Sequence, residues 1–221
     1  MVTKAIAAFS LLAAVMAPAA TAAEREHHGY GGGGLMLSTS TTDTPLGDVN
    51  TGGAGVAFTG AGLFNVAPIV GIGVTGGLMF GARADDDSDE DIGEAQVALD
   101  GGVVLADIVY LSLGFDVLSF TPESTDVTFS YAVVPLGIGV FKATDSGYLL
   151  AQLRFGGGEL SDDSTNFTQD VGFFGIRLAG QIGKDNGVQF LGGMELNAYD
   201  YKDVDVTDTY FRVFFGVGFG T

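Results

Sequence analysis

Apolar side chains alternate with polar or small ones along most of the chain, and the repeat is two residues. Near the C-terminal end, Phe211, Val213 and Phe215 alternate with Tyr210 and Arg212. A repeat of two places successive side chains on opposite faces of an extended strand. The pattern predicts about ten strands, with eight as the alternative, at 33–41, 55–64, 69–83, 94–106, 108–121, 127–142, 148–160, 171–183, 188–200 and 209–220.

The two faces of these strands differ in character. One face is dominated by Leu, Val, Ile and Phe, whereas the other carries glycine, small residues and isolated charges. A soluble sandwich would instead carry Lys, Glu and Thr on its second face. A lipid-facing Arg or Lys costs about 2–4 kcal/mol at the middle of a membrane, and the strand arginines all lie on the other face. The predicted fold class is therefore all-β: a closed, antiparallel, up-and-down transmembrane β-barrel, with a soluble sandwich or lipocalin-like barrel as the alternative.

The N-terminus has the features of a cleaved signal peptide. Lys4 supplies a positive charge, an uncharged apolar run covers Ala5–Ala17, and Ala20-Thr21-Ala22 fits the small-x-small cleavage rule. The apolar run is shorter than the roughly 20 residues of a helical membrane span. We predict a signal peptide at 1–22, a short periplasmic leader at 23–32 and the barrel at 33–221.

Connections between the predicted strands are long on one side and short on the other. The longer ones, which include 42–54, 84–93, 161–170 and 201–208, alternate with turns of five residues or fewer. Outer-membrane barrels place short turns in the periplasm and longer loops outside. On this assignment 19 of the 27 acidic residues, Glu94 and Asp208 among them, lie on the outer side, strand ends included.

Overall composition excludes several classes of protein. Nine Lys and Arg against 27 Asp and Glu give a formal net charge of −18, which argues against a nucleic-acid partner because phosphates need a basic surface. An apolar content of 47% argues against disorder. The absence of cysteine excludes a disulfide framework and thiolate metal sites. The sequence contains no motif in the structural context that cofactor binding needs, so no cofactor is predicted.

The last strand carries a further signal. Arg212, Val217 and Phe219 follow the polar, hydrophobic and aromatic spacing of barrels inserted in the outer membrane, with Phe214 where glycine is usual. In the register shifted by two, Gly216 and Phe219 fit. The chain resembles the small Gram-negative outer-membrane β-barrels, the group that contains OmpA-like barrels and minor porins. This resemblance implies outer-membrane lipid and lipopolysaccharide as surroundings, and insertion machinery that binds the last strand.

Two segments suggest metal or acid–base chemistry. The acidic run from residue 85 to 91 looks like a calcium loop, although Glu90 occupies the position where an EF-hand needs glycine. It is predicted to be a solvated loop or a weak divalent-cation site, and no confident metal site follows. His27 and His28 fall in the leader and are predicted to be solvated, which leaves the barrel without a histidine and predicts no enzyme. The acidic run comprises Asp85, Asp86, Asp87, Asp89, Glu90 and Asp91.

Charged residues on the inner face give the clearest candidate site. In a narrow lumen such charges should pair and form a plug, because an unpaired buried charge is costly. Against this, inward glycines remove volume, and ten strands enclose more space than eight. We therefore predict either a small porin-like channel with an acidic, cation-attracting vestibule, or a non-conducting structural or adhesion barrel. The predicted lumen charges are Arg83, Asp100, Asp116, Arg154, Arg177, Glu195 and Arg212.

Several aromatic residues near the predicted strand ends allow two interpretations. They could form the interfacial girdles of a membrane barrel, or they could equally fill its lumen. Tyr131, Phe173, Tyr199 and Tyr210 belong to this group.

Overall fold

Ten antiparallel strands form a closed barrel. Each strand pairs with its neighbours in the chain, and the first pairs with the last from Tyr30↔Gly220 to Asp43↔Thr207. The predicted fold class is confirmed, and the count is ten rather than eight. The structure is a computed structural model that describes residues 27–45, 47–67, 69–85, 91–125, 127–165, 167–184 and 187–220.

The strands are 14 to 21 residues long, more than the about 9–11 tilted residues that cross a bilayer. In chain order they are β1 (His27–Thr44), β2 (Gly47–Ala67), β3 (Val70–Asp85), β4 (Asp91–Leu105), β5 (Val109–Pro122), β6 (Phe129–Thr144), β7 (Gly147–Asp162), β8 (Thr168–Gly183), β9 (Val188–Tyr201) and β10 (Thr207–Gly220).

The first hairpin differs most from the prediction. Strand β1 begins at His27, so residues 27–32 of the predicted leader are strand, and most of the predicted loop 42–54 is strand as well. Polar pairs continue the ladder there: the Ser40 and Thr51 hydroxyls lie 2.8 Å apart. Hydrophobic alternation fades in these segments, which explains why it did not mark them. The predicted signal peptide, 1–22, lies outside the described residues.

The two ends of the barrel carry different connections. At the turn end lie the connections β2–β3, β4–β5, β6–β7 and β8–β9; at the loop end lie the other five. The β4–β5 turn is tight because Ala106 and Asp107 adopt left-handed φ angles of 50° and 59°. In the described part of the chain no helix is long and apolar enough to cross a membrane.

The outward face of the barrel is an apolar belt. Leu113, Phe155 and Phe215 are at least half exposed to the surroundings on this face. The belt begins beside the turns and gives way to Thr, Ser and acidic residues toward the loop end. So large an apolar surface marks contact with lipid, because soluble proteins rarely expose such an area.

Side chains fill the lumen in three layers. The outer aromatic cluster lies toward the loop end and the inner apolar cluster toward the turn end, with a charged layer between them. The aromatic residues Tyr131, Phe173, Tyr199 and Tyr210 therefore fill the lumen rather than form a girdle. The outer aromatic cluster is Leu118, Tyr131, Val133, Leu160, Val171, Phe173, Tyr199 and Tyr210; the inner apolar cluster includes Tyr30, Met36, Leu63, Tyr110, Phe141, Tyr148, Leu150, Leu191 and Phe214.

Glycine on the inner face makes room for these layers. A Cβ atom on Gly114 would lie 2.3 Å from Asp100 Oδ1, and one on Gly193 would lie 2.5 Å from the Phe214 ring. Both contacts are shorter than atoms tolerate. The inward glycines therefore let large side chains cross the lumen, and they do not leave an empty bore.

Candidate functional site

The charged layer is organised around Arg154, which projects inward from β7. Its Nη1 atom lies 3.0 Å from Asp116 Oδ2 and 3.3 Å from Glu195 Oε1. Its Nε atom lies 3.4 Å from Asp100 Oδ1. Arg154, Asp100 and Asp116 are 0% exposed, so all these ion pairs are away from bulk water.

Arg177, on the neighbouring strand β8, holds two of the same carboxylates from the other side. Its Nη1 atom donates to Asp100 Oδ2 at 2.6 Å, and its Nη2 atom donates to Glu195 Oε1 at 2.8 Å. Asp100 and Glu195 are each shared by two guanidinium groups. Shared carboxylates tie β4, β7, β8 and β9 together across the barrel.

A second group of charges lies toward the loop end. Arg83 Nε lies 3.0 Å and Arg212 Nη2 lies 3.1 Å from Glu94 Oε2. The two groups are linked by Gln96, whose Oε1 accepts from Arg212 at 2.7 Å and whose Nε2 donates to Asp116 at 2.8 Å. The seven predicted lumen charges thus meet in one continuous network, together with Glu94 and Gln96.

Positive and negative charges balance in this network. Among the described residues it contains four arginines and four carboxylates, and each is at most 7% exposed. A buried ion costs several kcal/mol unless opposite charges compensate it. The charged layer is therefore neutral overall, and its ion pairs crosslink the strands that carry them.

Sequence reasoning missed two members of the lumen. Glu94 and Asp208 were assigned to the outer side because they lie beside predicted loops, yet they are 7% and 5% exposed. Asp208 accepts hydrogen bonds from Tyr131 and, at 2.9 Å, from Tyr201. Strand parity was the available signal, because Glu94 shares its face with Gln96 and Asp100.

The cavity beside the network is small. Its volume is about 30 Å³, and it is bordered by Thr75, Gln96, Arg177 and Glu195 together with the inner apolar cluster. A water molecule needs at least about 10–15 Å³ of such volume, so the space suits one or two waters. The described side chains leave room for solvent at this level but not for a hydrated ion with its shell.

Histidine does occur in the barrel, contrary to the prediction. His28 lies on β1 at the turn end and is 6% exposed, with Nδ1 3.7 Å from Asp145 Oδ1. A cavity of about 270 Å³ borders His28, Asp107, Lys142 and Asp145. Because His28 lies in β1, a lack of histidine in the barrel no longer argues against an enzyme.

The acidic run is only partly visible. Asp86, Asp87, Asp89 and Glu90 lie outside the described residues; Asp85 ends β3, and Asp91 begins β4 with an exposed side chain. Among the residues that are described, no group of three or more His, Cys, Asp or Glu side chains is arranged to hold a metal ion.

The solved structures to which this chain is similar include outer-membrane proteins. No family model and no curated protein matches it. The outer membrane protease OmpT from Escherichia coli is 11% identical, with a TM-score of 0.45 over 88% of this chain and 95% of that one. The NalP translocator domain from Neisseria meningitidis is 14% identical (TM-score 0.41; 98% and 96% covered). Ail from Yersinia pestis is 10% identical, with a TM-score of 0.39 over 86% of this chain and 99% of that one. These likenesses concern the fold alone.

Proposed function

We propose that this protein is a non-conducting outer-membrane barrel that presents an acidic rim at the cell surface. The observation that carries the proposal is the neutral charged layer, in which Arg154 forms ion pairs with three buried carboxylates in the middle of the lumen. Apolar and aromatic clusters pack on both sides of this layer. A lumen packed in this way makes the barrel rigid. The outer surface is then the part of the protein that contacts partners.

The rim at the loop end supports this role. Glu159 on β7 is the register partner of Asp170 on β8, and Asp43 on β1 is the partner of Asp48 on β2; all four are exposed. Like charges directly opposite one another destabilise a sheet. We propose that divalent cations offset this repulsion and bridge the rim to lipopolysaccharide phosphates, with the loop end outside and the turn end in the periplasm.

Planar-bilayer recording tests the closed lumen. We expect no conductance step above the bare-membrane leak from the purified barrel. The control is Arg154→Ala, which removes the central guanidinium and leaves carboxylates facing a larger space; insertion of both proteins is checked by the folded-to-unfolded band shift on unheated gels. A stable conductance from the unaltered protein would overturn the proposal and support the narrow cation channel instead.

Thermal unfolding tests the rim. In bilayers that contain lipopolysaccharide, millimolar Ca²⁺ should raise the melting temperature of the unaltered barrel. The rise should shrink in a Glu159→Gln, Asp170→Asn variant, but not in Asp107→Asn, which neutralises an exposed carboxylate at the turn end. An equal rise in all three proteins would contradict a cation bridge at the rim.

A further inference from the structure

A groove of about 380 Å³ lies on the lipid-facing side of β6, β7 and β8 at the turn end. In the strand register Lys142 lies beside Leu149, and Leu149 lies beside Gly180. Leu149 and Ile182, which line the groove, are 57% and 70% exposed. The groove therefore opens to the surroundings of the barrel and not to its lumen.

The floor of the groove continues onto β9. Gly180 is the register partner of Gly192, and a Cβ atom added to Gly192 would find a single atom within 4 Å, Phe214 O at 3.7 Å. Phe190, 75% exposed, borders this depression on the side of the turn. The result is an elongated apolar trough as deep as a side chain, which suits a hydrocarbon chain.

Two lysines lie at the end of this trough, whereas Asp145 in the same turn lies 3.7 Å from His28 Nδ1 on the lumen side and does not line the groove. Lys142 lines it, and Lys184 follows Gly183, whose backbone N–H donates to the Ser146 carbonyl at 2.9 Å at the same corner. Among the described residues these are the exposed lysines of the turn end, and the remaining exposed lysine, Lys202, lies 3.8 Å from Asp170 at the loop end. Among the described residues that line the groove, Lys142 is the charged one, so the groove offers an ammonium group to an anion.

We propose that the groove binds an anionic phospholipid, with an acyl chain over Gly180 and Gly192 and the phosphate beside Lys142 and Lys184. Lysine stems lie along apolar surface while their ammonium groups stay at the membrane–water interface, which is the depth of a lipid phosphate. The inference rests on the proposed orientation, because that orientation puts the turn end in the phospholipid leaflet.

Fluorescence quenching measures this selectivity directly, because the chain contains no tryptophan. Phe190→Trp places one reporter beside the groove, and Ile72→Trp places one at the corresponding third residue of β3, four strands away around the barrel. Each barrel is reconstituted in bilayers that mix brominated phosphatidylglycerol or brominated phosphatidylcholine with unlabelled lipid. We expect about a fivefold preference for phosphatidylglycerol at position 190, the effect of about one interfacial lysine, and none at position 72.

Removal of both lysines distinguishes the contribution of charge to lipid binding from that of the shape of the groove. In the Phe190→Trp background, Lys142→Gln with Lys184→Gln should return the preference to about one while quenching itself persists. Equal quenching by both lipids at position 190, or a preference that survives loss of both lysines, would overturn the site. Relief of quenching by lipopolysaccharide more than by unlabelled phosphatidylglycerol would also overturn it. If neither reporter were quenched by any lipid, the lipid-facing belt and the proposed function would fail together.

Discussion

The charged layer of the lumen and the rim at the loop end are both rich in carboxylates, but they differ in balance and in exposure. In the lumen, four carboxylates meet four arginines and are buried. At the rim, paired acids such as Glu159 and Asp170 are exposed, and Lys202 is the lysine beside them. Carboxylates therefore crosslink the barrel where arginines neutralise them, and they create a negative electrostatic potential where they are not neutralised.

The largest effect is expected from removal of the central cation. Arg154→Met should lower the free energy of unfolding by about 3–5 kcal/mol, because three buried carboxylates lose a partner. Lys202→Met at the rim is the control and should change it by less than about 0.5 kcal/mol, since its Nζ is exposed and 3.8 Å from Asp170. Urea titration of the barrel in lipid vesicles measures both. Equal effects would remove the distinction between the two regions.

A smaller loss is expected when the lumen is crowded. Gly114→Ala would place a methyl group 2.3 Å from Asp100 Oδ1, so Asp100 must move and its ion pairs weaken. We expect about 1–3 kcal/mol of destabilisation. Gly101→Ala is matched, because its Cβ would meet nothing within 4 Å on the outward face of β4. If the urea titration curves of Gly114→Ala and Gly101→Ala coincided, the lumen would be loosely packed.

The smallest effect should be a gain in stability at the rim. Glu159→Gln removes one of two like charges in direct register and should stabilise the barrel by about 0.2–1 kcal/mol at low salt. The gain should vanish near 1 M salt, where the Debye length is about 3 Å. The Arg154→Met loss should persist at the same salt, because its charges are buried. Unfolding measured at both salt concentrations tells the two regions apart.

Strand alternation is the signal that assigns the lumen charges to the inward face. Alternation assigns Asp100, Arg154 and Arg177 to the inward face of their strands without any knowledge of the tertiary structure. The face depends only on whether a residue is an even or an odd number of positions from its inward-facing neighbours in the strand. Which of them touch depends on the stagger of strands around the barrel, and no local pattern encodes that stagger. The contact between Arg154 of β7 and Asp116 of β5, two strands away, could not be read from the sequence.

Strand ends were harder to predict. Glu94 and Asp208 were placed on the outer side because acidic residues beside a predicted loop suggest solvent. The strands instead continue past the apolar belt, and there the inward positions remain buried under the outer aromatic cluster. Glycine runs in β1 likewise obscured the beginning of this strand, which is predicted from residue 33 and starts at His27. The difference between an apolar and a polar face marks the membrane-embedded part of a barrel strand. Beyond the membrane this difference is lost, so it does not show where the strand ends.

Accessibility of the mid-lumen to water-soluble reagents tests the closed lumen most directly. The chain has no cysteine, so Ser112→Cys reports from the buried lumen between the inner apolar cluster and the charged layer, where Gln152 donates to Ser112 Oγ at 2.6 Å. Ser164→Cys reports from the exposed loop end. With a charged, membrane-impermeant maleimide, the folded barrel should react at position 164 within minutes and at position 112 only after unfolding. Comparable rates at the two positions in the folded barrel would contradict a closed lumen.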